Sequence, residues 1–341
     1  MKIDILCNNE NGGSSLGVTL KDLWGEGRRG IGVGGSEYGL LTLCETWNKL
    51  GHEVILYNNP TELGASPFEQ RYVSQFEPKA NRDVLITFRS PNSLSIISNG
   101  LKVWLSCDQY TEGDFKVFAP YVQKIVCISK FHQDYFRGVY QITNTEVIDL
   151  PIRLDDLVID EPTVKIKNKC IFTSVPDRGL MDLYECWPSI KQSIPDITLT
   201  ITSDYRLWGV DERNMPHRLK WMYTDNIRFL GAILRKDLIQ EQLSSEFLLY
   251  PCSYDELMCV SVAEAQCCGI YTITSDAGAL STTNMCKIVP RGESNFRPRF
   301  VDAVVNAINN PIDIRDIKLK AFARFEPDII AKEWDKKVFN G

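Results

Sequence analysis

The sequence has few histidines, no long apolar run and no surplus of basic residues, and each absence excludes a class of protein. Only 3 of its 341 residues are histidine. No stretch reaches the ~18 apolar residues that a membrane span needs, although peripheral contact with a membrane stays open. The formal net charge is -6 and the pI is 5.3, whereas a nucleic-acid-binding surface is basic. We therefore expect a soluble protein that binds no nucleic acid.

The 11 cysteines do not form the pattern of a disulfide framework or of a zinc site. Their number is odd, most lie within apolar strand or helix patterns, and none belongs to a Cys-x-x-Cys pair. These features indicate reduced core thiols in a cytoplasmic protein. Residues 1–6 lead directly into a strand pattern, so no signal peptide is expected.

Length and composition indicate two α/β domains. In the first half, short apolar strands are predicted at residues 3–7, 53–57, 83–88, 102–106, 124–128 and 147–151. In the second half they are predicted at 170–174, 196–201, 226–231, 247–250 and 270–274. The charged segment 153–168 is predicted to be a linker. We place the domains at 1–156 and 157–325, with a C-terminal helix, 326–341, packing back on the first.

A polar connection, residues 8–35, separates the first strand from the first long helix. It contains 16 Asn, Gly, Ser and Arg residues, so we expect it to contribute little to a core and, being long, to be functional or mobile. It ends in Gly34 and Gly35 at the predicted start of that helix. Two glycines at a helix N-terminus let backbone N–H groups approach an anion. The alternative is that they only form a tight turn.

Polar residues follow several of the predicted strands of the first half. In open parallel sheets, ligands bind beyond the carboxyl ends of the strands. Asp108 is the most notable of these residues because it follows the apolar strand 102–106 almost immediately. It is therefore a candidate site residue, with capping of a turn or helix as the alternative.

The stretch 251–269 combines a polar loop, a helix and two carboxylates. It follows the apolar strand 247–250, and its helical pattern ends at Gly269. Glu256 and Glu264 lie eight residues apart, which is about two helical turns plus ~80°. The two carboxylates are therefore placed to contact opposite ends of one ligand.

Taken together, these motifs resemble the retaining GT-B glycosyltransferases, family 4 type, also called glycosyl transferases group 1. The resemblance covers most of the chain and is strongest from Glu256 to Gly269, which is similar to the family's Glu-x7-Glu motif. Four further motifs follow the family's order: Gly34-Gly35-Ser-Glu37, Asp177-Arg178-Gly179-Leu180, Phe229-Leu-Gly231 and Ser275-Asp-Ala-Gly278. The resemblance implies an α/β protein in which two Rossmann-like domains face each other across a cleft.

The resemblance also implies a nucleoside-diphosphate-sugar donor, UDP- or GDP-linked, as substrate, and no separate cofactor. Arg178 and the N–H groups at the start of the helix would bind the diphosphate, because both carry positive charge. The helix-start residues are Leu257, Met258, Cys259 and Val260. No Asp-x-Asp motif stands at a strand end to hold a divalent metal against a diphosphate, so no metal is expected.

The remaining roles follow from the same resemblance. Glu264 would accept hydrogen bonds from the ribose hydroxyls, and Glu256 would bind the transferred sugar and favour its oxocarbenium character. The backbone at Ile233 would meet the base, and Gly34 and Gly35 would contact the donor. The alternatives are that Arg178 only pairs with a nearby carboxylate and that Glu264 only caps or pairs locally.

Three departures from the family pattern stand out. The family usually has a second cation where Thr173 and Ser174 stand here, and a Gly-Phe-Gly where Leu257-Met258-Cys259 stands. Many relatives have a histidine at the tip of the strand placed at 102–106, where this chain has Asp108. Asp108 is therefore the candidate for that polar contact, and the alternative is altered or lost activity.

The leading hypothesis is a metal-independent retaining hexosyl- or pentosyltransferase acting on a glycan, lipid or small-molecule acceptor. A sugar epimerase of the same fold is one alternative, although the scarcity of histidines argues against acid/base groups in a cleft. A non-catalytic nucleotide-sugar-binding subunit is another. An NAD dehydrogenase is disfavoured because Gly32-x-Gly34-Gly35 lacks the Gly-x-Gly-x-x-Gly spacing.

Overall fold

The computed structural model describes residues 1–7, 17–27, 30, 32–109, 113–159, 163–208, 214–292, 294–310 and 312–340. The chain forms two compact units. Unit one contains Met1–Leu23, Gly35–Ile152 and Phe325–Gly341, and unit two contains Trp24–Gly34 and Arg153–Arg324. The predicted division at residue 156 thus differs from the observed one, which assigns residues 153–156 and 24–34 to unit two.

Unit one is built on a parallel seven-stranded sheet in the order β3-β2-β1-β4-β5-β6-β7. Its strands are β1 Lys2–Leu6, β2 Glu53–Tyr57, β3 Glu69–Arg71, β4 Val84–Phe88, β5 Leu101–Ser106, β6 Lys124–Cys127 and β7 Thr145–Val147. In register, Leu6 lies opposite Tyr57 and Thr87. All five residues of β4 are buried, as expected for a parallel sheet covered on both faces.

The helices described before residue 153 are α1 Leu20–Trp24, α2 Gly35–Lys49, α3 Ser93–Ile96, α4 Phe115–Phe118 and α5 Lys130–Tyr135. The apolar residues of α2 recur with the spacing of one helical face, and Leu40, Leu43 and Trp47 on that face are buried. Helix α1 corrects an expectation, because the polar connection does contribute to a core: Leu20 and Leu23 are buried. Residues 8–16, 28, 29 and 31 of that connection lie outside the described residues.

Unit two contains a parallel six-stranded sheet in the order β10-β9-β8-β11-β12-β13. Its strands are β8 Lys169–Phe172, β9 Thr198–Ile201, β10 Ile227–Phe229, β11 Phe247–Tyr250, β12 Tyr271–Ser275 and β13 Lys287–Val289. Its helices are α6 Leu180–Ser193, α7 Asn214–Met222, α8 Arg235–Leu243, α9 Val260–Cys267, α10 Leu280–Thr283, α11 Phe296–Asn309 and α12 Arg315–Phe325.

The last helix, α13 Pro327–Trp334, packs on α2 in unit one. The rings of Trp47 and Trp334 meet edge to face with centroids 5.1 Å apart, which is a favourable aromatic geometry. The predicted break before α13 is present, because α12 ends at Phe325 and Pro327 opens the next helix.

Several predicted elements are shifted or absent. The strand predicted at 147–151 is instead β7, Thr145–Val147. A proline within a helical pattern favours a kink or an early end, but α6 does not end at Pro188 and continues to Ser193. The short strands β3, with the sequence EQR, and β13, with the sequence KIV, were not predicted, because neither shows an apolar run long enough to indicate a strand. No helix of the described residues is both long and apolar enough to cross a membrane.

Candidate functional site

The loop between β11 and α9 in unit two is enclosed by backbone from two other segments. Gly179 has φ +101, and a Cβ at this position would lie 2.5 Å from the Pro251 carbonyl oxygen. Gly278 has φ +57, and its Cβ would lie 2.4 Å from the Glu256 carbonyl oxygen. Only glycine permits such close approach in this backbone conformation. Three of the predicted motifs therefore meet at this loop.

Backbone hydrogen bonding fixes the same loop. The Ala279 N–H donates to the Glu256 carbonyl over 2.6 Å, and Glu256 and Gly278 form a parallel β-bridge. On the other side, Arg291 Nη1 donates to the Pro251 carbonyl over 3.0 Å and to Asp182 Oδ2 over 2.9 Å. The loop that carries Glu256 is thus held by backbone and guanidinium contacts. Arg291 was not predicted from the sequence.

The Glu256 carboxylate lies in a buried polar cluster. Its Oε1 accepts a hydrogen bond from the Tyr250 hydroxyl at 2.7 Å and lies 3.4 Å from Arg178 Nε. The Cys252 thiol approaches the same oxygen at 3.9 Å. Burial raises the pKa of Glu256 above its ordinary value, and the contacts with Arg178, Tyr250 and Cys252 oppose that rise.

Ser174 takes part in this cluster where the family usually has a cation. The Tyr250 hydroxyl oxygen lies 3.1 Å from Ser174 Oγ. Tyrosine has a single hydroxyl proton. Tyr250 donates this proton in the shorter of the two hydrogen bonds, whose acceptor is the charged carboxylate of Glu256. Ser174 therefore donates to Tyr250, which in turn donates to Glu256. The neighbouring Thr173 is buried, and its hydroxyl has no hydrogen-bond partner among the described residues.

Arg178 lies between an acid and an aromatic ring at the start of α6. It ends a short 3-10 turn, Pro176–Arg178, and is followed by the left-handed Gly179. Its guanidinium carbon lies 3.4 Å from the centroid of the Tyr254 ring. Stacking leaves the N–H groups in the guanidinium plane directed outward, which suits binding of phosphate oxygens. Arg178 therefore pairs with Glu256 rather than with Asp177, whose Oδ1 accepts from Tyr205 at 2.5 Å.

Helix α9 begins slightly later than the sequence indicates. It starts at Val260, with Cys259 as the N-cap residue, so Leu257 and Met258 belong to the loop. All three residues before the helix are buried, with at most 7% of each exposed. Their bulky side chains thus pack into the interior of unit two. The positive end of α9 lies beside the loop that carries Glu256.

Glu264 is buried within α9 and is bound by residues distant in sequence. Its Oε1 accepts a short hydrogen bond from Arg235, and its Oε2 accepts from Gln242 Nε2 over 3.1 Å. Arg235 in turn donates through Nε to Asp156 Oδ2 over 3.1 Å. Glu264 is therefore bound by residues 29 and 22 positions away in the sequence. Neither Arg235 nor Asp156 was predicted as a site residue.

Ile233 lies in a segment fixed by Asp204. The Ala232 N–H donates to Asp204 Oδ2 over 2.8 Å, and Arg206 Nε donates to the same oxygen over 2.8 Å. Burial acts to raise the pKa of Asp204, but the hydrogen bonds from Arg206 and Ala232 hold it below its ordinary value. A charged, buried carboxylate thus sets the backbone immediately before Ile233. Ile233 itself is only half-buried.

In unit one, Asp108 lies at the tip of β5 and is buried. Its Oδ1 accepts from the neighbouring Gln109 N–H over 2.7 Å, as in the predicted turn-capping alternative. Its backbone carbonyl accepts from Ser106 Oγ and from His132 Nε2, at 3.2 and 3.0 Å. The structure thus brings His132 against this tip, which its sequence position did not suggest.

His132 supports this strand tip as a neutral ring. The Ile128 N–H donates to its Nδ1 over 3.2 Å, so the ring proton sits on Nε2 and points to Asp108. Burial lowers the pKa of His132 to about 4, against an opposing effect of Asp108. The ring is fully buried, so it acts by positioning the tip.

The two glycines predicted to bind an anion are assigned to different units. Gly35 is the first residue of α2 in unit one, and Gly34 is assigned to unit two. In the first turn of α2, Glu37 Oε1 lies 3.4 Å from Arg89 Nη1. Arg89 follows β4 with a φ of +63, a conformation uncommon outside glycine. An anion at Gly34 and Gly35 stays a prediction.

Among the described residues, no group of three or more His, Cys, Asp or Glu side chains is arranged to hold a metal ion. The 11 cysteines, all within the described residues, form no disulfide with one another. Burial raises the pKa of Cys252 to about 12, and the charge of Glu256 acts in the same direction on this thiol. The thiol nearest Glu256 is therefore unreactive at neutral pH.

Two units, each with a parallel sheet flanked by helices, define the GT-B fold, and solved structures confirm it over the whole chain. Sucrose-phosphate synthase from Thermosynechococcus elongatus matches with a TM-score of 0.71 at 13% identity, covering 98% of each chain. WaaG, a glycosyltransferase of lipopolysaccharide biosynthesis, matches with 0.69 at 13%, covering 100% of each. HepE from Anabaena, in complex with UDP-glucose, matches with 0.68 at 13%, covering 99% of each.

Residues 168–310, most of unit two, match the family model described as Glycosyl transferases group 1. This segment contains Arg178, Glu256 and Glu264, the residues on which the predicted resemblance depends. The family match thus concerns unit two, whereas the solved structures show the fold of the whole chain. No curated protein has a significant sequence match to the chain.

Proposed function

We propose that the protein is a retaining glycosyltransferase that moves a sugar from a nucleoside-diphosphate-sugar to a glycan, lipid or small-molecule acceptor. The observation that carries this proposal is the enclosure of the loop after β11. Gly179 and Gly278 approach its backbone within contact distance on two sides, and it presents Glu256 beside Arg178. A cation and a carboxylate fixed side by side suit a substrate that has both a diphosphate and sugar hydroxyls.

Arg178 and the start of α9 would bind the diphosphate. Negative charge develops on this leaving group as the glycosidic bond breaks, so donors already fixed toward it stabilise the transition state. The stacking of Arg178 on Tyr254 holds the guanidinium in place before the donor arrives. The N–H groups of Leu257, Met258, Cys259 and Val260 add the positive end of the helix.

Glu256 would accept hydrogen bonds from hydroxyls of the transferred sugar. An ionised carboxylate at this position also favours positive charge at the anomeric carbon. Tyr250 and Arg178 both stabilise the ionised form of Glu256 against the effect of burial. Glu264 would bind the ribose hydroxyls, and the backbone at Ile233 would meet the base.

The donor is proposed to be a UDP- or GDP-sugar, with no cofactor and no bound metal in the reaction. HepE, whose solved complex contains UDP-glucose, has the same fold. Arg178 and the helix start would supply the positive charge that a metal supplies elsewhere. Turnover that persists in EDTA is expected, and a requirement for added Mg²⁺ or Mn²⁺ would contradict this part of the proposal.

The acceptor side is proposed to lie at the carboxyl edge of the sheet in unit one. Asp108 is the candidate there for the polar contact with the transferred sugar, and Gly34 and Gly35 for contact with the donor. Asp108→Asn keeps the shape and the Gln109 hydrogen bond while removing the charge. A fall in kcat with an unchanged KM for the donor would support this role, and unchanged kinetics would reject it.

Isothermal titration with UDP-, GDP- and ADP-sugars tests the donor site directly. Wild-type protein should bind one of them, and Glu256→Ala should remove turnover. Glu185→Ala, at an exposed position of α6, serves as the matched control. Anomeric configuration of the product, read by NMR, decides between retention and inversion. Donor converted without an acceptor would indicate an epimerase, and binding without turnover a non-catalytic subunit.

We also propose a cytoplasmic location. Free thiols at all 11 cysteine positions suit a reducing compartment, where nucleotide-sugars are available to such an enzyme. Peripheral contact with a membrane would be compatible with a lipid acceptor. Fractionation of cells that express the tagged chain tests the location.

A further inference from the structure

Four buried charged side chains form a network that ends at Glu264. Arg235 contacts two carboxylates through different nitrogens: Nε lies 3.1 Å from Asp156 Oδ2, and Nη2 donates to Glu264 Oε1. Arg153 Nε lies 3.2 Å from the same oxygen of Asp156. The four side chains are between 2% and 8% exposed. Two cations and two carboxylates are thus balanced inside unit two.

We propose that Arg235 and Asp156 are positioning residues for recognition of the donor's ribose. Arg235 fixes the carboxylate plane of Glu264, and Asp156 fixes Arg235. This inference rests on the proposed function, in which Glu264 binds the ribose hydroxyls. It adds two residues that lie outside every motif of the sequence.

The geometry of hydrogen bonding supports this role. Arg235 and Gln242 each donate to a different oxygen of Glu264. These two donors fix the plane in which the two carboxylate oxygens lie. Two adjacent ribose hydroxyls need such a fixed pair of acceptors, whereas a freely rotating carboxylate would lose rotamer entropy on binding.

The charge balance supports the role of Asp156. Arg235 contacts two carboxylates. Because it also interacts with Asp156, it binds Glu264 less tightly than it would alone. Loss of the Asp156 charge would remove one of the two carboxylates that Arg235 contacts. Glu264 would then be bound more tightly by Arg235 and would become a weaker acceptor for ribose hydroxyls. Arg235 would also lose the partner that orients its Nε edge.

The backbone around the network is fixed as well. Asp156 lies in the 3-10 turn Leu154–Leu157, and Arg235 is the first residue of α8. A Cβ at Gly25 would lie 3.3 Å from the Leu234 Cα, so the residue before Arg235 is packed against backbone. The neighbouring Trp24 ring lies 5.1 Å from the guanidinium carbon of Arg153. The backbone beside Arg235 and the guanidinium group of Arg153 are therefore both held by packing contacts.

Titration calorimetry with two kinds of nucleotide separates positioning of the ribose carboxylate from general stability. The probes are UDP and GDP and their 2′,3′-dideoxy analogues, which keep the diphosphate and base but lack both hydroxyls. Asp156→Asn should weaken binding of the ribose nucleotide about tenfold. Its affinity for the dideoxy analogue should equal that of the wild type, because Glu264 has no hydroxyl to bind.

Arg235→Lys provides a second variant, which keeps the charge but replaces the planar fork by a single ammonium group. It should show the same selective loss. Asp4→Asn is the matched control: Asp4 is equally buried and pairs with Arg82 over 2.7 Å in unit one. It should leave both affinities unchanged.

Equal loss of affinity for both kinds of nucleotide in the two variants, or no loss in either, would overturn the inference. Wild-type protein that binds none of the four probes would refute the proposed function instead. A wild type that binds a ribose nucleotide and its dideoxy analogue equally would remove Glu264 from the ribose site.

Discussion

Gly179 packs directly against the carbonyl group of Pro251, on the loop that carries Glu256. A Cβ at position 179 would lie 2.5 Å from that oxygen and 2.6 Å from its carbon. Because Gly179 follows Arg178, this contact fixes the distance between the cation and the loop. The relationship between Gly179 and Pro251 therefore holds the two halves of the proposed donor site in register.

We expect Gly179→Ala to destabilise unit two and to abolish donor binding. The left-handed conformation costs a non-glycine residue roughly 1–2 kcal/mol, and the contact with Pro251 adds to this. The loop would have to move away, and Arg178 would separate from Glu256. Thermal unfolding and titration with the nucleotide-sugar measure the two effects.

Gly292→Ala is the matched control, because nothing lies within 4 Å of a Cβ at that position. It should leave both measurements near those of the wild type. A Gly179→Ala protein that binds the donor normally would show that the close packing against Pro251 is not needed for the site.

Tyr254 should matter through its ring and not through its hydroxyl. Its ring stacks on Arg178 at 3.4 Å, and such cation–π contacts contribute about 0.5–2 kcal/mol. Tyr254→Ala should raise the donor KM by roughly 2- to 30-fold, whereas Tyr254→Phe should retain most of the wild-type value. Equal effects of the two substitutions would instead assign the role to the hydroxyl.

The pH dependence of kcat/KM should report the ionisation of Glu256. Burial raises the pKa of this carboxyl above its ordinary 4.5, so activity should fall on the acid side at a pH above 4.5. The Tyr250 hydroxyl stabilises the carboxylate. Tyr250→Phe removes that hydrogen bond, raises the pKa further and should move the acid limb to higher pH.

Tyr271 is the first residue of β12, whereas Tyr250 is the last residue of the parallel neighbouring strand β11. Tyr271→Phe should therefore leave the acid limb of the pH profile in place. A profile of Tyr250→Phe that coincides with the wild type would mean that ionisation of Glu256 does not control the reaction. A shift toward lower pH would contradict the sign derived from the hydrogen bond.

The main features of the fold followed from the sequence because each depends on local patterns. Apolar strand runs, the α2 stripe and the stop at Gly269 are all readable over a few residues. The motifs around Arg178, Glu256 and Gly278 were also found, because the order of loops after parallel strands brings them to one edge. The short strands β3 and β13 and the boundaries between the units were not found, since they depend on packing between distant segments.

The residues that contact Glu256, Glu264 and Asp108 could not be predicted either, because packing between distant segments brings them together. Asp156 and Arg235 lie 79 residues apart, and nothing local distinguishes either from a surface charge. Tyr250 reads as one more apolar residue of β11, although its hydroxyl binds Glu256. His132 lies 24 residues after Asp108 in the sequence, and helix α5 carries it to the tip of β5. Covariation between such pairs is the signal that would have revealed them.

Lys165 provides a test of how the helix that carries Glu264 is held. Its Nζ donates to the carbonyl oxygens of Ser245 and Cys268 at 2.6 and 3.0 Å, just beyond the C-terminal ends of α8 and α9. A cation there also compensates the negative ends of both helices. Lys165→Met should therefore lower the free energy of unfolding at pH 7, by about 1–3 kcal/mol.

The same lysine predicts a pH dependence of stability with a definite sign. Burial lowers the pKa of Lys165 from 10.5 to about 8. Between these values the unfolded chain binds more protons than the folded one, so this group makes the free energy of unfolding rise with pH. The whole effect amounts to at most about 3 kcal/mol for the shift from 10.5 to about 8. Urea unfolding from pH 7 to 10.5 measures it.

The difference in unfolding free energy between wild type and Lys165→Met should thus grow from pH 8 to pH 10.5. Lys167→Met, two residues away and exposed, should follow the wild-type curve throughout. If the wild type and Lys165→Met run parallel, Lys165 is charged and solvated in the folded protein. The ends of α8 and α9 would then be held by their own packing, and Glu264 would depend on its side-chain partners alone.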